Sequence, residues 1–97
     1  MAELTISDEA IRDIYDLLEY AQEYSEARGE RLYNSIHESF SLLQEYPETG
    51  RSRADLAEGI RSLVNVPFNV TIFYTYAGDV VDVLRVLSNR QNIEGLL

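Results

Sequence analysis

The sequence predicts an α+β fold in the order β-α-α-β-β-β, with a helical hairpin packed on a mainly antiparallel, twisted sheet. Apolar residues recur at helical spacing through the first half and alternate at period two through the second. Between the two regimes lies a run dense in turn-forming residues, Pro47-Glu48-Thr49-Gly50-Arg51-Ser52-Arg53.

Each element has its own signature. Glu3-Leu4-Thr5-Ile6 alternates polar and apolar, as a short strand does. Ser7 reads as a helix N-cap, and Asp8 and Glu9 after it suit the positive end of a helix dipole. Ile11, Ile14, Leu18 and Ala21 then recur at helical spacing, with Asp13, Asp16, Glu19 and Glu23 facing elsewhere. This is an amphipathic helix of about four turns. Ser25-Glu26-Ala27-Arg28 restarts the chain into a second helix with the core stripe Leu32, Tyr33, Ile36, Phe40 and Leu43. Pro47 cannot continue it. Gly29 costs about 1 kcal/mol relative to alanine in a helix interior, which leaves that helix's start open. Two helices joined this tightly form an αα-hairpin.

Three strands follow the loop. Ile60–Val66 is rich in branched residues and stops at Pro67; Asn69–Tyr76 alternates; Val80–Val86 is its apolar partner. Ala77-Gly78-Asp79 supplies the glycine a hairpin needs. The tail, Ser88–Leu97, reads either as a helical turn or as disordered. One helical layer against one sheet makes residues 1–97 a single domain, and no repeat or linker divides them.

Composition bounds the function. A chain of 97 residues buries roughly two-thirds of its unfolded surface, enough for one core. With no cysteine there is no disulfide, no thiolate nucleophile and no cysteine-ligated metal. No stretch approaches the roughly 20 apolar residues of a membrane span, and the opening MAELTISDEA lacks the parts of a signal peptide. A cytoplasmic protein with no membrane partner is the expectation. Residues 1–50 hold 3 Arg against 12 Asp and Glu, a balance of −9, whereas residues 51–97 hold 5 against 5, a balance of zero. A chain of this sign is not expected to bind DNA directly through a general electrostatic footprint, because phosphates need neutralising. Lysine is absent, so every fixed side-chain cation is a guanidinium, the better fork for carboxylate or phosphate. A compositional bias of the source organism accounts for that absence equally well.

The general catalytic motifs are missing. There is no phosphate-binding loop, no Gly-x-Gly-x-x-Gly and no metal constellation, so no cofactor or metal is expected. His37, the one histidine, falls beside the inward Ile36 and reads as a surface or boundary residue. The acids of the first half read as solvated helix faces, or as a docking surface for a basic partner segment. Among the seven tyrosines, Tyr15, Tyr33, Tyr74 and Tyr76 fall on or beside core stripes. Arginine is what remains: Arg51 and Arg53 in the loop, Arg61 opening a strand, Arg85 on the last strand and Arg90 after it. Arg61 and Arg85 on one sheet face, with the loop arginines at the rim, would make a cationic patch. The alternative is that each pairs with a nearby acid such as Asp55, Glu58 or Asp82.

The segment PETGRSRADLAEGIRS, followed by NVTIFYTYAGDVVDVLRVLSNRQN, resembles the ParE branch of the ParE/RelE toxin superfamily. Gly50-Arg51, Asp55-Leu56, Gly59-Ile60-Arg61-Ser62, Phe73-Tyr74 and Arg85-Val86-Leu87 stand where that family has its loop, strand opening, hairpin and closing strand. The helical half is similar in element order and in the Ser-x-x-Ala opening at Ser7 and Ala10. The resemblance spans nearly the whole chain.

It implies a RelE/ParE-like fold and the toxin component of a type II toxin-antitoxin system, of the plasmid-stabilization kind. Such a toxin is neutralised by a cognate antitoxin, ParD-like or other, as a hetero-oligomer. The antitoxin wraps over the helical hairpin and sheet, which makes Ile11, Tyr15, Leu18 and Tyr74 the expected contacts. ParE members block DNA gyrase by binding it, and RelE members cut messenger RNA in the ribosome; the fold serves both. Gyrase contact is assigned to Arg51, Arg53, Arg90 and Asn92. An RNase would instead use Arg61, Arg85 and Arg90 on a phosphate transition state. Two departures favour binding over cleavage. Ser88 stands where many members have histidine, and no Tyr or His follows Tyr76, so a proton-transfer partner is missing. The net charge of −9 also disfavours docking on ribosomal RNA. A diverged, non-toxic antitoxin-binding protein is the further alternative.

Overall fold

Ser7 sets the first corner of the molecule. Its Oγ accepts a hydrogen bond from the Ala10 amide at 3.0 Å, capping a helix, and donates one to the Leu84 carbonyl at 2.7 Å. The computed structural model describes residues 1–91 and 93–95. In chain order the elements are β1 (Glu3–Ile6), α1 (Asp8–Tyr24), α2 (Glu26–Glu45), β2 (Arg51–Ser52), β3 (Ile60–Asn65), β4 (Val70–Ala77) and β5 (Val80–Ser88). Single 3-10 turns lie at Val66–Phe68 and Ile93–Gly95. Ser25 ends α1 and caps α2, accepting from the Arg28 amide at 3.1 Å, so Gly29 falls inside the second helix rather than before it. Gly29 is buried there, where an added Cβ would meet Gln22 of α1.

The sheet runs β1-β5-β4-β3-β2, antiparallel throughout except for the parallel pair β1–β5. A two-residue turn, with both Gly78 and Asp79 at positive φ, joins β4 to β5. One extra residue, Leu84, bulges from β5, because Phe73 pairs with Arg85 while Tyr74 pairs with Val83. Both helices cover one sheet face, where Ala10, Ala21, Leu32, Ile36, Phe40 and Leu43 meet Val70, Ile72, Tyr74, Val81, Val83 and Val86. The opposite face carries a smaller cluster of Ile60, Phe73 and Leu87, partly covered by Leu56, Leu84 and Ile93.

Four expectations need correction. Strand β2 adds a fifth strand inside what reads as loop, pairing Arg51 with Ser62 and Ser52 with Arg61. Tyr33 is 58 % exposed, since the inward stripe of α2 passes through its neighbour Leu32. Ile11 lies at the exposed edge of α1, and the buried positions there are Ala10, Asp13 and Ala21. Asp13, expected to face solvent, is therefore inside.

Candidate functional site

The 47–62 segment is held from within. Tyr74, fully buried on β4, donates its hydroxyl to the Pro47 carbonyl at 2.8 Å and accepts from the Gly50 amide at 2.9 Å. Arg61 donates to the carbonyls of Glu48 and Gly50 at 3.2 and 2.9 Å. Burial raises the Tyr74 phenol above its ordinary value, against the Gly50 amide and the Arg61 charge, which pull it down. Gly59 reaches φ +85° just before Ile60, a backbone region that favours glycine. The Gly50-Arg51 and Gly59-Ile60-Arg61-Ser62 motifs thus build the turn that lays β2 against β3.

The arginines do not gather into one cationic patch. Arg61 on β3 and Arg85 on β5 are separated by β4 and committed to different partners. Arg85 forks onto Asp13 of α1, Nε to Oδ2 at 2.7 Å and a terminal nitrogen to Oδ1 at 2.8 Å. The same carboxylate accepts from the Val86 amide at 3.1 Å. That hydrogen bond to Asp13 raises the Arg85 guanidinium above its ordinary value, over the opposing cost of burial. Arg53 forks onto Asp55 and lies 5.8 Å from the centre of the Phe73 ring. The Arg53 guanidinium holds the exposed Asp55 carboxyl below its usual range. Pairing with a nearby acid is thus right for Arg53, whereas the acid that meets Arg85 is Asp13. Arg51 and Arg90 are exposed, and Asn92 lies outside the described residues. His37 is exposed on α2, and the Ser88 amide donates to the Gln91 side chain at 2.9 Å. No group of three or more metal-ligating side chains is found among the described residues.

Two surfaces flank the buried stripe of α1. On one side Ile11, Tyr15 and Leu18 line up at i, i+4 and i+7, with Ile11 39 % and Tyr15 68 % exposed. A shallow cavity of about 290 Å³ continues this flank between the helices, lined by Leu18, Gln22, Gly29, Glu30, Tyr33 and Asn34. Tyr74 is not part of it, because its side chain is enclosed by the core. On the other side, α1 and the sheet diverge around a groove of about 770 Å³. Leu17, Tyr20, Tyr24, Arg28, Phe68 and Arg90 are among its walls. None of these apart from Arg90 stands out as a site residue in the sequence. The available signal is the four-residue spacing of Tyr20, Tyr24 and Arg28 across the helix junction.

A family model described as the ParE toxin of the type II toxin-antitoxin system, parDE, matches residues 4–93. The chain belongs to the ParE toxin family. Toxin ParE3 of Caulobacter vibrioides is 36 % identical over 64 residues, which is 66 % of this chain and 62 % of that toxin's length. Among solved structures, the chromosomal ParDE TA system from P. aeruginosa superposes with a TM-score of 0.77 at 18 % identity, covering 91 % of this chain and 96 % of the other. The conserved hypothetical protein HP0894 from Helicobacter pylori gives a TM-score of 0.51 at 15 % identity, covering 94 % and 98 %. At such identities the structures establish the α+β fold, a helical hairpin on a five-stranded mixed sheet. Among the described residues of this ParE-family chain, no helix is long and apolar enough to cross a membrane.

Proposed function

We propose that this chain is the toxin of a type II toxin-antitoxin pair that acts by binding, with DNA gyrase as its target, and is neutralised by a cognate antitoxin. The observation that carries the choice of binding over cleavage is the commitment of the arginines. A phosphate-clamping centre needs guanidinia that converge on one point with a proton-transfer group beside them. Here Arg61 serves main-chain carbonyls and Arg85 serves Asp13, on either side of β4. Arg51, exposed on the edge strand, Arg53, paired with Asp55 on the same loop, and Arg90, beyond the end of β5, are the target contacts, with Asn92 beside Arg90 in sequence. The flank of exposed Ile11 and Tyr15 and half-buried Leu18 is the surface the antitoxin covers, and Tyr74 supports it only from inside.

Pulse-labelling of DNA and protein synthesis in bacteria after induction of this chain alone tests the reading. DNA synthesis is expected to fall first, with gyrase-dependent DNA damage, and co-expression of the antitoxin is expected to restore growth. Earlier collapse of protein synthesis would replace this reading with ribosome-dependent RNA cleavage. Unchanged growth would leave a non-toxic antitoxin-binding protein.

A further inference from the structure

A groove lies between the C-terminal half of α1 and the end of the sheet, apart from the Ile11–Tyr15–Leu18 flank. Its floor extends the core: Ala21, Leu32 and Val70 are buried, and Leu17 and Phe68 are half-buried beside them. An apolar side chain entering here covers surface that is already partly dry, which favours insertion. The rim is polar and fixed. Thr71 Oγ1 donates to Asn89 Oδ1 at 2.7 Å, and the Asn89 amide donates to the Asn69 carbonyl at 2.9 Å.

Charge decides what enters. Arg28 and Arg90 border this groove in a chain whose formal net charge is −9. The Arg28 guanidinium lies 5.3 Å from the Tyr24 ring centre and 5.8 Å from that of Phe68. Stacked in this way, the fork is oriented before any partner arrives. Of the two carboxylates in the lining, Asp13 is neutralised by Arg85, and Asp16 stands on the α1 wall. A basic segment would bring like charge against Arg28 and Arg90. An acidic one meets them as a carboxylate meets a fork.

We propose that this groove receives an acidic, apolar-anchored segment of the antitoxin. Its apolar side chain lies between Leu17 and Phe68, and its carboxylate lies on Arg28 and Arg90. The inference rests on the antitoxin reading above and adds the chemistry of the segment. The antitoxin then grips α1 from both flanks, and the groove reads the sign of its charge.

The test is calorimetric titration of the purified chain with the antitoxin whose co-expression restores growth. Arg90→Gln is expected to weaken binding about five-fold, and Arg28→Gln/Arg90→Gln about 30-fold or more. Glu19→Gln/Glu23→Gln, on the exposed back of α1, is expected to stay within about two-fold of wild type. One antitoxin Asp→Asn or Glu→Gln change is expected to weaken binding to wild type but not to the double-arginine variant. Circular dichroism checks the variants, and Arg90→Gln carries the test alone if the double variant misfolds. If the arginine variants bind like wild type while Tyr15→Ala weakens binding, the groove proposal is overturned and the antitoxin reading stands. If the wild-type chain does not bind the antitoxin, that reading falls and takes the groove with it. Concentration-dependent self-association abolished by Arg28→Gln/Arg90→Gln would assign the groove to a second copy of this chain instead.

Discussion

Tyr74 braces the 47–50 turn from inside the core, joining a loop amide and a loop carbonyl that would otherwise be short of partners. Tyr74→Phe keeps the ring and removes both bonds. The expected loss is about 1–3 kcal/mol, read as a fall in Tm of roughly 5–15 °C. The phenol also gives a pH signature. Its pKa is raised above the ordinary 10.0 in the folded state, so its contribution is complete below about pH 10 and is lost as pH rises through the folded value. Titration followed by tyrosinate absorbance is expected to show a late phase that Tyr74→Phe reduces. Tyr20, raised by its hydrogen bond with Tyr24, also titrates late but at the surface, so a late phase surviving in Tyr74→Phe belongs to it. Gly50 is the other half of the brace. A Cβ there would stand 2.7 Å from the Tyr74 ring and 2.9 Å from the Ser62 carbonyl, so Gly50→Ala is expected to cost about 1–3 kcal/mol by overpacking. Gly50-Arg51 and Gly59-Ile60-Arg61-Ser62 were visible as motifs in the sequence. Their physical reason was not, because it lies in a tyrosine 24 residues away from Gly50.

Among the elements, α1 and β5 are joined by the contact that periodicity hides. Asp13 counts as polar, so a helical pattern places it outside, yet it answers both Arg85 and an amide next to the β5 bulge, some 70 residues away. No local rule connects two such positions. The same limit explains β2, too short for any alternation to show, and Tyr33, which borders the apolar stripe without entering it. The caps, the hairpin turn and the long strands were legible because their causes are local: Ser7, Ser25 and Gly78-Asp79 act within four residues. Asp13→Asn leaves the guanidinium beside a neutral partner and is expected to destabilise the fold by about 3 kcal/mol in urea unfolding. Asp13→Leu/Arg85→Met, which removes both charges and restores apolar volume, is expected to recover most of that loss. Equal destabilisation by the single and double changes would mean that the pair matters through shape and not through charge.

Across the whole molecule the negative charge is one-sided, with the −9 of residues 1–50 set against zero in residues 51–97. In the fold most of those acids lie on the helical hairpin, so like charges crowd the helical layer. Self-repulsion of this kind destabilises the compact state and is screened by salt. The Asp13–Arg85 pair is largely shielded from solvent and loses little to the same salt. The balance predicts that Tm rises with sodium chloride, by a few degrees between about 10 mM and 500 mM, the range over which the Debye length falls from roughly 30 Å to a few Å. Glu19→Gln/Glu23→Gln relieves part of the repulsion directly. It is expected to raise Tm at low salt and to flatten the salt dependence, without touching either flank of α1 proposed for the antitoxin. A Tm that falls with salt would show that attractive pairs outweigh the repulsion, and that the acidic layer is already compensated before any partner binds.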